Sequence, residues 1–398
     1  MKALVIAPQP FFSPRGTPFS VYYRTLVTSE LGVKVDFLTY GQGENVDIPG
    51  VRIIRIPRLR CLGEVKIGPS GLKLFLDLFL VLWTVALLLR HRYDFVHAHE
   101  EAVFFCRFLK PLFGFKLVYD MHSSLPQQLT NFQFTSSKIL IGLFRKLENS
   151  CLKKTNAIIT ICPDLADHVA SIIPDGGEHF LIENSIFDQV RTAELDKVED
   201  SSGLGKTGTF GLPRDKKLVV YAGTLEPYQG IDTLIRAFQH VVTMRPDALL
   251  MIVGGSVTQV REYRAMAESC GLSSACVFTG RVSQALAKYY NGHASVLVSP
   301  RIEGTNTPLK VYEQLASGIP LVATNIYSHT QVLNDEVAFL VKPEPQDMAR
   351  GILSAMETYE NGNRIVANAG RLYEEKYARP VYVNKMKQLL EYLSRCAE

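Results

Sequence analysis

A chain of 398 residues is too long for one typical core and predicts two domains of roughly 150–200 residues. With 47% hydrophobic and 21% charged residues it is no disordered chain, and seven cysteines, odd in number and without a C-x-x-C pair, argue against a disulfide framework or zinc ribbon and fit a reducing cytosol. The net charge is only +4, yet residues 52–154 hold 16 Lys/Arg against 7 Asp/Glu, so that region carries +9 and the remainder −5; it also holds the longest apolar run, which favours an anionic membrane surface over nucleic acid as its partner.

The chain opens MKALVIAPQP, a strand at once over residues 2–7, and no secretory signal is expected. A loop with Pro8, Pro10, Pro14 and Gly16 follows, then a helix from about Thr17 to Leu31, stopped by Gly32, and the strand VKVDFLTY. This places Arg15, Gly16 and Thr17 at a helix start, although a single glycine in a proline-rich loop is equally a plain turn. After the strand VRIIRIP, the run Leu72 to Leu89 contains Lys73 and Asp77; it is too short and too marked by charge for a membrane span. It is expected to be a helix covering a sheet face, with the alternative that one side also dips into a bilayer interface. Tyr93 to His97 is a strand, and FKLVYDMH is another, ending in Asp120-Met121-His122 at a carboxyl edge. A histidine there is either a buried structural residue or a donor to a sugar hydroxyl or phosphate. Ser136 to Lys154 reads as a helix whose Ile139, Leu140, Leu143, Phe144 and Leu147 face the core and whose Lys138, Arg145, Lys146, Lys153 and Lys154 form a cationic exterior. NAIITI, a helix from Pro163, and HFLIEN complete a first domain, residues 1–187.

Residues 188–214 are polar and read as a linker and surface excursion; the patch GLGKTG lacks the G-x4-G-K-[ST] spacing of a P-loop. The alternation then repeats through KLVVYAG, GIDTLIRAFQHVV, ALLMIVGG, QVREYRAMAESC, ACVFTG and SQALAKYYN, with runs that predict a second parallel, doubly wound sheet over residues 215–375. Residues 376–398 end in a helix from Tyr382 to Arg395. Between them lies the most informative stretch, Ser299 to Asn325. Its strand ends at Pro300; Thr307 is the expected N-cap and Pro308 the first residue of a helix over 308–317, closed by Gly318 before a strand from Ile319 to Ala323. Such a loop and helix start aim free N–H groups out of a sheet's carboxyl edge, where anionic ligands bind. Lys310 and Glu313 share a helix face: a cation suits a diphosphate and a carboxylate suits ribose hydroxyls, while the plain alternative is a surface ion pair.

The series Pro308-x-Lys310-x2-Glu313-x4-Gly318-x-Pro320 resembles the loop-helix of family 4 glycosyltransferases, retaining enzymes of the GT-B fold. The resemblance implies an α/β chain of two Rossmann-like domains facing across a cleft, with the last helix crossing back to the first. It implies that Glu313 binds the ribose of a nucleotide sugar, that the amides from Thr307 through Pro308 and Leu309 to Lys310 hold the diphosphate, and that Gly16 faces it. It also implies that His122, oriented by Asp120, touches the donor sugar, and that Arg281 and Val282, after Gly280, lie against the base. Three positions depart from the family pattern. Thr305, beside Asn306, stands where the first Glu of a Glu-x7-Glu pair is usual, and after the strand ending at Gly223, Thr224 and Gln229 replace the usual Arg and Lys. Lys310, with Arg301, Arg281 or Arg15, is expected to supply the missing charge.

The implied reaction is sugar transfer, of a hexosyl or N-acetylhexosaminyl group, from a nucleotide diphosphate sugar to a glycan or lipid-linked acceptor at the cytoplasmic membrane face. No metal cofactor is expected, since no Asp-x-Asp and no His/Cys cluster of ligand spacing is present. Two rivals stand beside this expectation: a nucleotide-sugar epimerase of the same architecture, and a silent binding or scaffolding subunit.

Overall fold

The computed structural model describes residues 1–13, 16–58, 63, 65, 70–124, 126, 137–173, 178–184, 187, 215–361 and 364–395. Arg15 and the expected linker at 188–214 lie outside the described residues. Two compact units emerge, residues 1–184 with 379–395 and residues 215–378, each built on one parallel sheet.

The first unit has strands β1 (Lys2–Ala7), β2 (Lys34–Thr39), β3 (Val51–Arg55), β4 (Phe95–His99), β5 (Lys116–Met121), β6 (Ala157–Thr160) and β7 (Glu178–Leu181), in the order β3-β2-β1-β4-β5-β6-β7. Its helices are α1 (Gly16–Glu30), α2 (Gly71–Arg90), α3 (Ala102–Phe113), α4 (Lys138–Lys154) and α5 (Pro163–Ile172). The strands at the centre read as unbroken apolar runs because helices cover both faces, so even alternate side chains are buried. The order reverses between β1 and β4, and in open α/β sheets ligands bind at the carboxyl ends of the strands flanking such a reversal.

Two helices correct the sequence-based expectation. α2 starts earlier than Leu72 because the Ser70 hydroxyl accepts a hydrogen bond from Lys73 N at 3.3 Å and caps it. In α4 only part of the stripe expected to face the core does so: Ile139 and Leu143 are exposed, Leu140 and Phe144 are partly buried, Leu147 packs against the core, and the buried residues Glu148, Cys151 and Leu152 all lie in the second half. Periodicity locates an apolar face but not how far along the helix neighbours cover it.

The second unit has β8 (Lys217–Ala222), β9 (Ala248–Val253), β10 (Cys276–Gly280), β11 (Val296–Ser299), β12 (Leu321–Thr324) and β13 (Phe339–Val341), in the order β10-β9-β8-β11-β12-β13. Helices α6 (Ile231–Met244), α7 (Val257–Ser269), α8 (Gln284–Gly292), α9 (Leu309–Ala316), α10 (Tyr327–Thr330), α11 (Pro345–Asn361) and α12 (Arg364–Lys376) accompany it. Here the order reverses between β8 and β11. The last helix, α13 (Arg379–Arg395), belongs to the first unit, where Arg379 pairs with Glu30 of α1 at 2.6 Å and the Lys116 ammonium donates to the Leu393 carbonyl.

The carboxyl ends of β8, β9 and β10 are stitched together by backbone. Gly223 N donates to Val253 O at 3.0 Å and Gly254 N to Gly280 O at 2.9 Å. Gly254 sits at φ +119°, and a Cβ there would lie 2.0 Å from the Gly223 carbonyl oxygen. Both the dihedral and the contact require glycine. Gly254→Ala is expected to destabilise the protein by well over about 1 kcal/mol, read as a lower denaturant midpoint at unchanged m; a neutral result would mean the stitching is not needed.

Candidate active site

In the second unit the loops after β8 and β11 meet. The short turn Pro227–Gln229 is clipped to the β11 loop by Ile302 N donating to Tyr228 O at 2.9 Å, and the Arg301 guanidinium lies over the Tyr228 ring at 5.2 Å. Gly230, at φ +69°, allows the approach: a Cβ would meet the Pro300 carbonyl oxygen at 2.1 Å. Arg301 also donates to the carbonyls of Glu303 and Asn306, so this cation shapes the Thr305–Pro308 loop as well as charging it.

The helix that follows departs from expectation by one residue. Pro308 occupies the cap with ψ 133°, and no side chain caps it, so α9 begins at Leu309 and Thr307 is not the N-cap. A residue before proline is held extended, and here the proline itself stays extended too. Pro308 has no N–H, and Val311 N already donates to Pro308 O at 3.0 Å, so the free amides of this helix start are those of Leu309 and Lys310.

Lys310 and Glu313 form no ion pair with each other, against the plain alternative read from the sequence. Lys310 instead turns its Nζ over the Tyr221 ring, 4.1 Å from the centroid, and 3.6 Å from where a Gly223 Cβ would stand. That ammonium is sealed from solvent without a hydrogen-bond acceptor. Burial, with the charge of Arg301 added, pushes its pKa down to about 7. Burial likewise raises the Glu313 carboxyl to about 7 against the opposing pull of Lys288. Thr307 Oγ1 and Gln229 Oε1 are further buried atoms without partners. Thr224 is exposed, its carbonyl accepting from the Tyr221 hydroxyl. Arg281 is exposed and Val282 partly buried on the loop after β10. Of the described cations expected to join Lys310, Arg301 and Arg281, it is Arg301 whose charge reaches it.

Three residues beneath this site were not foreseen. His329 on α10 accepts from the Ser299 hydroxyl at Nε2, 2.9 Å, and donates from Nδ1 to the Thr324 carbonyl at 2.9 Å, so the ends of β11 and β12 are tied to one buried ring. Burial pushes its pKa down to about 4, which keeps it neutral.

In the first unit, Gly16 opens α1, exposed, after the β1 loop, and His122 follows β5. His122 is buried, its Nε2 within hydrogen-bond reach of His99 Nδ1 at 3.1 Å and 3.3 Å from Asp120 Oδ1, an oxygen that accepts no hydrogen bond among the described residues, so the expected neighbour Asp120 is beside the ring without bonding it. The sequence reading missed the remainder of the cluster. β4 extends past His97 to His99, whose register partner on β5 is Asp120, and the two imidazoles stack at 4.6 Å. His97 Nε2 donates to Asp120 Oδ2 at 3.0 Å, and Arg24 of α1, fully buried, brings Nε to 3.1 Å from the same oxygen. Histidines two apart on an apolar strand were a legible sign of one shared face; nothing local marks Arg24. Burial drives His122 down to about 4 and His99 well below its usual value, so both rings are neutral at pH 7. For Asp120, burial alone would raise the carboxyl, but Arg24 and the histidines hold it well below the carboxylate range.

His97, His99 and Asp120 have three ligand atoms within 4.8 Å of one another, a grouping that corrects the expectation of no ligand-spaced cluster. A divalent ion at that oxygen would stand beside the buried Arg24 guanidinium, a repulsion in a dry interior. The donor set is better explained as the counter-charge and orientation of Arg24. Glu100, directly after β4, is the one described non-glycine residue with positive φ, +48°, a strained position of the kind found beside functional sites.

With this geometry in hand, comparison with known proteins is decisive for the family. The model of group 1 glycosyl transferases matches residues 208–372, and that of the glycosyl transferase 4-like domain matches residues 23–184. The chain belongs to the group 1, family 4-like glycosyltransferases. A relative, the phosphatidyl-myo-inositol mannosyltransferase of Mycobacterium tuberculosis, is 30% identical over 189 residues, 46% of this chain and 48% of that one, so the match spans about half the relative's length. Among solved structures, sucrose-phosphate synthase from Thermosynechococcus elongatus superposes with a TM-score of 0.77 at 18% identity, covering all of both chains. HepE of Anabaena, solved in complex with UDP-glucose, gives 0.67 at 18% identity, covering 99% of this chain and 100% of that one. At such identities the structural likeness shows the fold, GT-B. The family explains why two Rossmann-like sheets, each with its reversal point furnished with polar groups, occur in one chain.

Proposed function

We propose that this glycosyltransferase moves a sugar from a nucleotide diphosphate sugar to a lipid-linked or surface-polysaccharide glycan, with retention at the anomeric carbon. The observation that carries the reading is Lys310: a fully sealed ammonium without an acceptor, at the switch point of the second sheet and beside the free amides of a helix start. An isolated buried cation is costly, and a diphosphate is the ligand that makes the arrangement favourable. Lys310 takes over the charge that Thr224 and Gln229 lack, with Arg301 behind it and Gly223 leaving room. Glu313, one turn deeper, accepts from the ribose hydroxyls. The anomeric carbon exchanges its bond to the diphosphate oxygen for one to the acceptor hydroxyl oxygen, and the departing diphosphate takes the hydroxyl proton on the same face. Lys310 and the amides of Leu309 and Lys310 stabilise the charge that builds on it. His122, neutral and positioned beside Asp120 and His99, donates to a hydroxyl of the sugar. The lipid named in the mycobacterial relative and the UDP-glucose bound to HepE support these substrate classes.

Thermal unfolding in the presence of UDP, GDP, ADP or CMP, with and without magnesium, tests the reading, because a ligand that binds only the native state raises the midpoint. One nucleotide is expected to raise it, equally with and without magnesium, by about 2.7 kcal/mol of stability at a hundredfold excess over Kd. No shift with any of them at millimolar concentration would replace this reading with that of a silent binding subunit.

A further inference from the structure

The first unit presents a surface that neither substrate explains. α2 is turned inside out relative to an ordinary surface helix. Its two interior charges face the protein, Asp77 accepting from the Tyr40 hydroxyl at 2.6 Å and Lys73 lying 3.6 Å from Glu101. Its outward side carries Leu74, Phe75, Leu78, Leu82 and Leu89, all exposed. A solvated helix shows the opposite pattern. α3 packs against both α2 and α4 and continues the face with Phe108 and Leu112, the latter 75% exposed, and α4 adds Leu143 and Ile139, 87% exposed. Large apolar side chains exposed on three successive, mutually packed helices mark an interaction site.

The charge of the same three helices selects the partner. α2, α3 and α4 together hold nine Lys/Arg and two Asp/Glu. Both acids are withdrawn: Asp77 to Tyr40, and Glu148, buried, accepting from the Ser124 hydroxyl at 2.9 Å. Arg90, Lys138, Arg145, Lys146, Lys153 and Lys154 are exposed. A second copy applied through this face would set cations against cations. We infer that the α2/α3/α4 face of the first unit docks flat on an anionic lipid bilayer, its apolar side chains entering the interface and its cations meeting the headgroups. Contrary to the reading of the run Leu72 to Leu89 as too short, α2 at 20 residues is long and apolar enough to cross a bilayer, but Leu76, Leu80, Thr84, Leu87 and Leu88 bury its other side in the core of this unit, so it lies in the interface plane. Docking needs no donor nucleotide, so this inference and the proposed reaction stand or fall separately.

The test is co-sedimentation of the full chain with vesicles of phosphatidylcholine alone or mixed equally with phosphatidylglycerol. The wild type is expected to bind the anionic vesicles and be released by high salt, each interfacial cation contributing roughly fivefold in partitioning. Lys153→Glu/Lys154→Glu and, separately, Leu78→Glu/Leu82→Glu are expected to lower the bound fraction at least about tenfold with unchanged melting. Val257→Glu, at an exposed position of the second unit, is expected to bind like wild type. Equal binding to both vesicle types, or full binding by either double variant, would overturn the inference. So would an absence of vesicle binding, and gel filtration showing that Leu78→Glu/Leu82→Glu converts a dimer to a monomer would then assign the face to self-association.

Discussion

Lys310→Met is expected to lower the turnover number at saturating donor by about 10²–10³-fold, the effect of removing one preorganised charge from a leaving-group site. The same substitution is expected to make the ligand-free protein more stable. Its Nζ is sealed over Tyr221 with no acceptor, and Arg301 adds repulsion, so removing the ammonium while keeping the stem relieves a penalty. At about 1–3 kcal/mol for a buried unsatisfied group, and about 2–4 °C per kcal/mol for a unit of this size, the gain is about 2–12 °C in Tm. Its pH dependence has a definite sign. The folded-state pKa is near 7 and the unfolded value is 10.5, so between them the unfolded chain binds the extra proton and wild-type stability rises with pH. The advantage of the variant is therefore full below pH 7 and shrinks as pH rises toward 10.5. Differential scanning calorimetry between pH 6 and 9, with turnover measured beside it, checks both halves. A turnover within about twofold of wild type would remove Lys310 from the diphosphate site.

The surroundings of Lys310 also show where sequence reading succeeds and where it stops. The two parallel sheets were legible because short apolar runs alternating with amphipathic helices leave few other ways to bury a chain of this length. Lys310 and Glu313 were legible because helical spacing fixes which residues share a face, although not that Tyr221, from a strand almost ninety positions earlier, would lie under the ammonium. The start of α9 was misplaced by one residue because Thr-Pro reads equally well as cap and first turn, and the choice was made by the ψ of Pro308. For α4 the sequence showed an apolar stripe but not its lack of cover, which depends on how far α3 reaches. The least legible feature was Arg24. It sits on α1 among residues with no charge pattern, and its partner Asp120 lies on β5, so only the closed sheet makes it a buried ion pair.

That pair carries the second large effect. Asp120→Asn is expected to destabilise the first unit by about 3–5 kcal/mol, because it removes the counter-charge from a guanidinium that stays buried. Among the described residues the remaining contacts of Arg24 are neutral: the Ile182 carbonyl at 3.2 Å, the Asn184 side-chain oxygen at 3.4 Å, the Met386 sulfur at 3.9 Å and the Tyr382 ring at 5.4 Å, and none of them balances a full charge. Arg24→Met combined with Asp120→Asn is expected to recover much of the loss, since replacing both members of a buried pair is far cheaper than orphaning one. Because Asp120 has its pKa held well below 3.8, its contribution is present above that value and is lost only as pH falls further, so the cost of Asp120→Asn is constant through the neutral range and shrinks in acid. A thermodynamic cycle over the two single variants and the double, by urea unfolding, measures the coupling; a coupling near zero would mean the two groups are not an ion pair. The network has a second readout. Asp120 also lies 3.3 Å from His122 Nε2, so the double variant, though refolded, is expected to lose turnover more than nucleotide affinity if His122 meets the sugar rather than the nucleotide. Restored stability with unaltered turnover would leave the cluster as a structural brace beneath the β1/β4 reversal, and α13, which covers Arg24 with Tyr382 and Met386, as its outer wall.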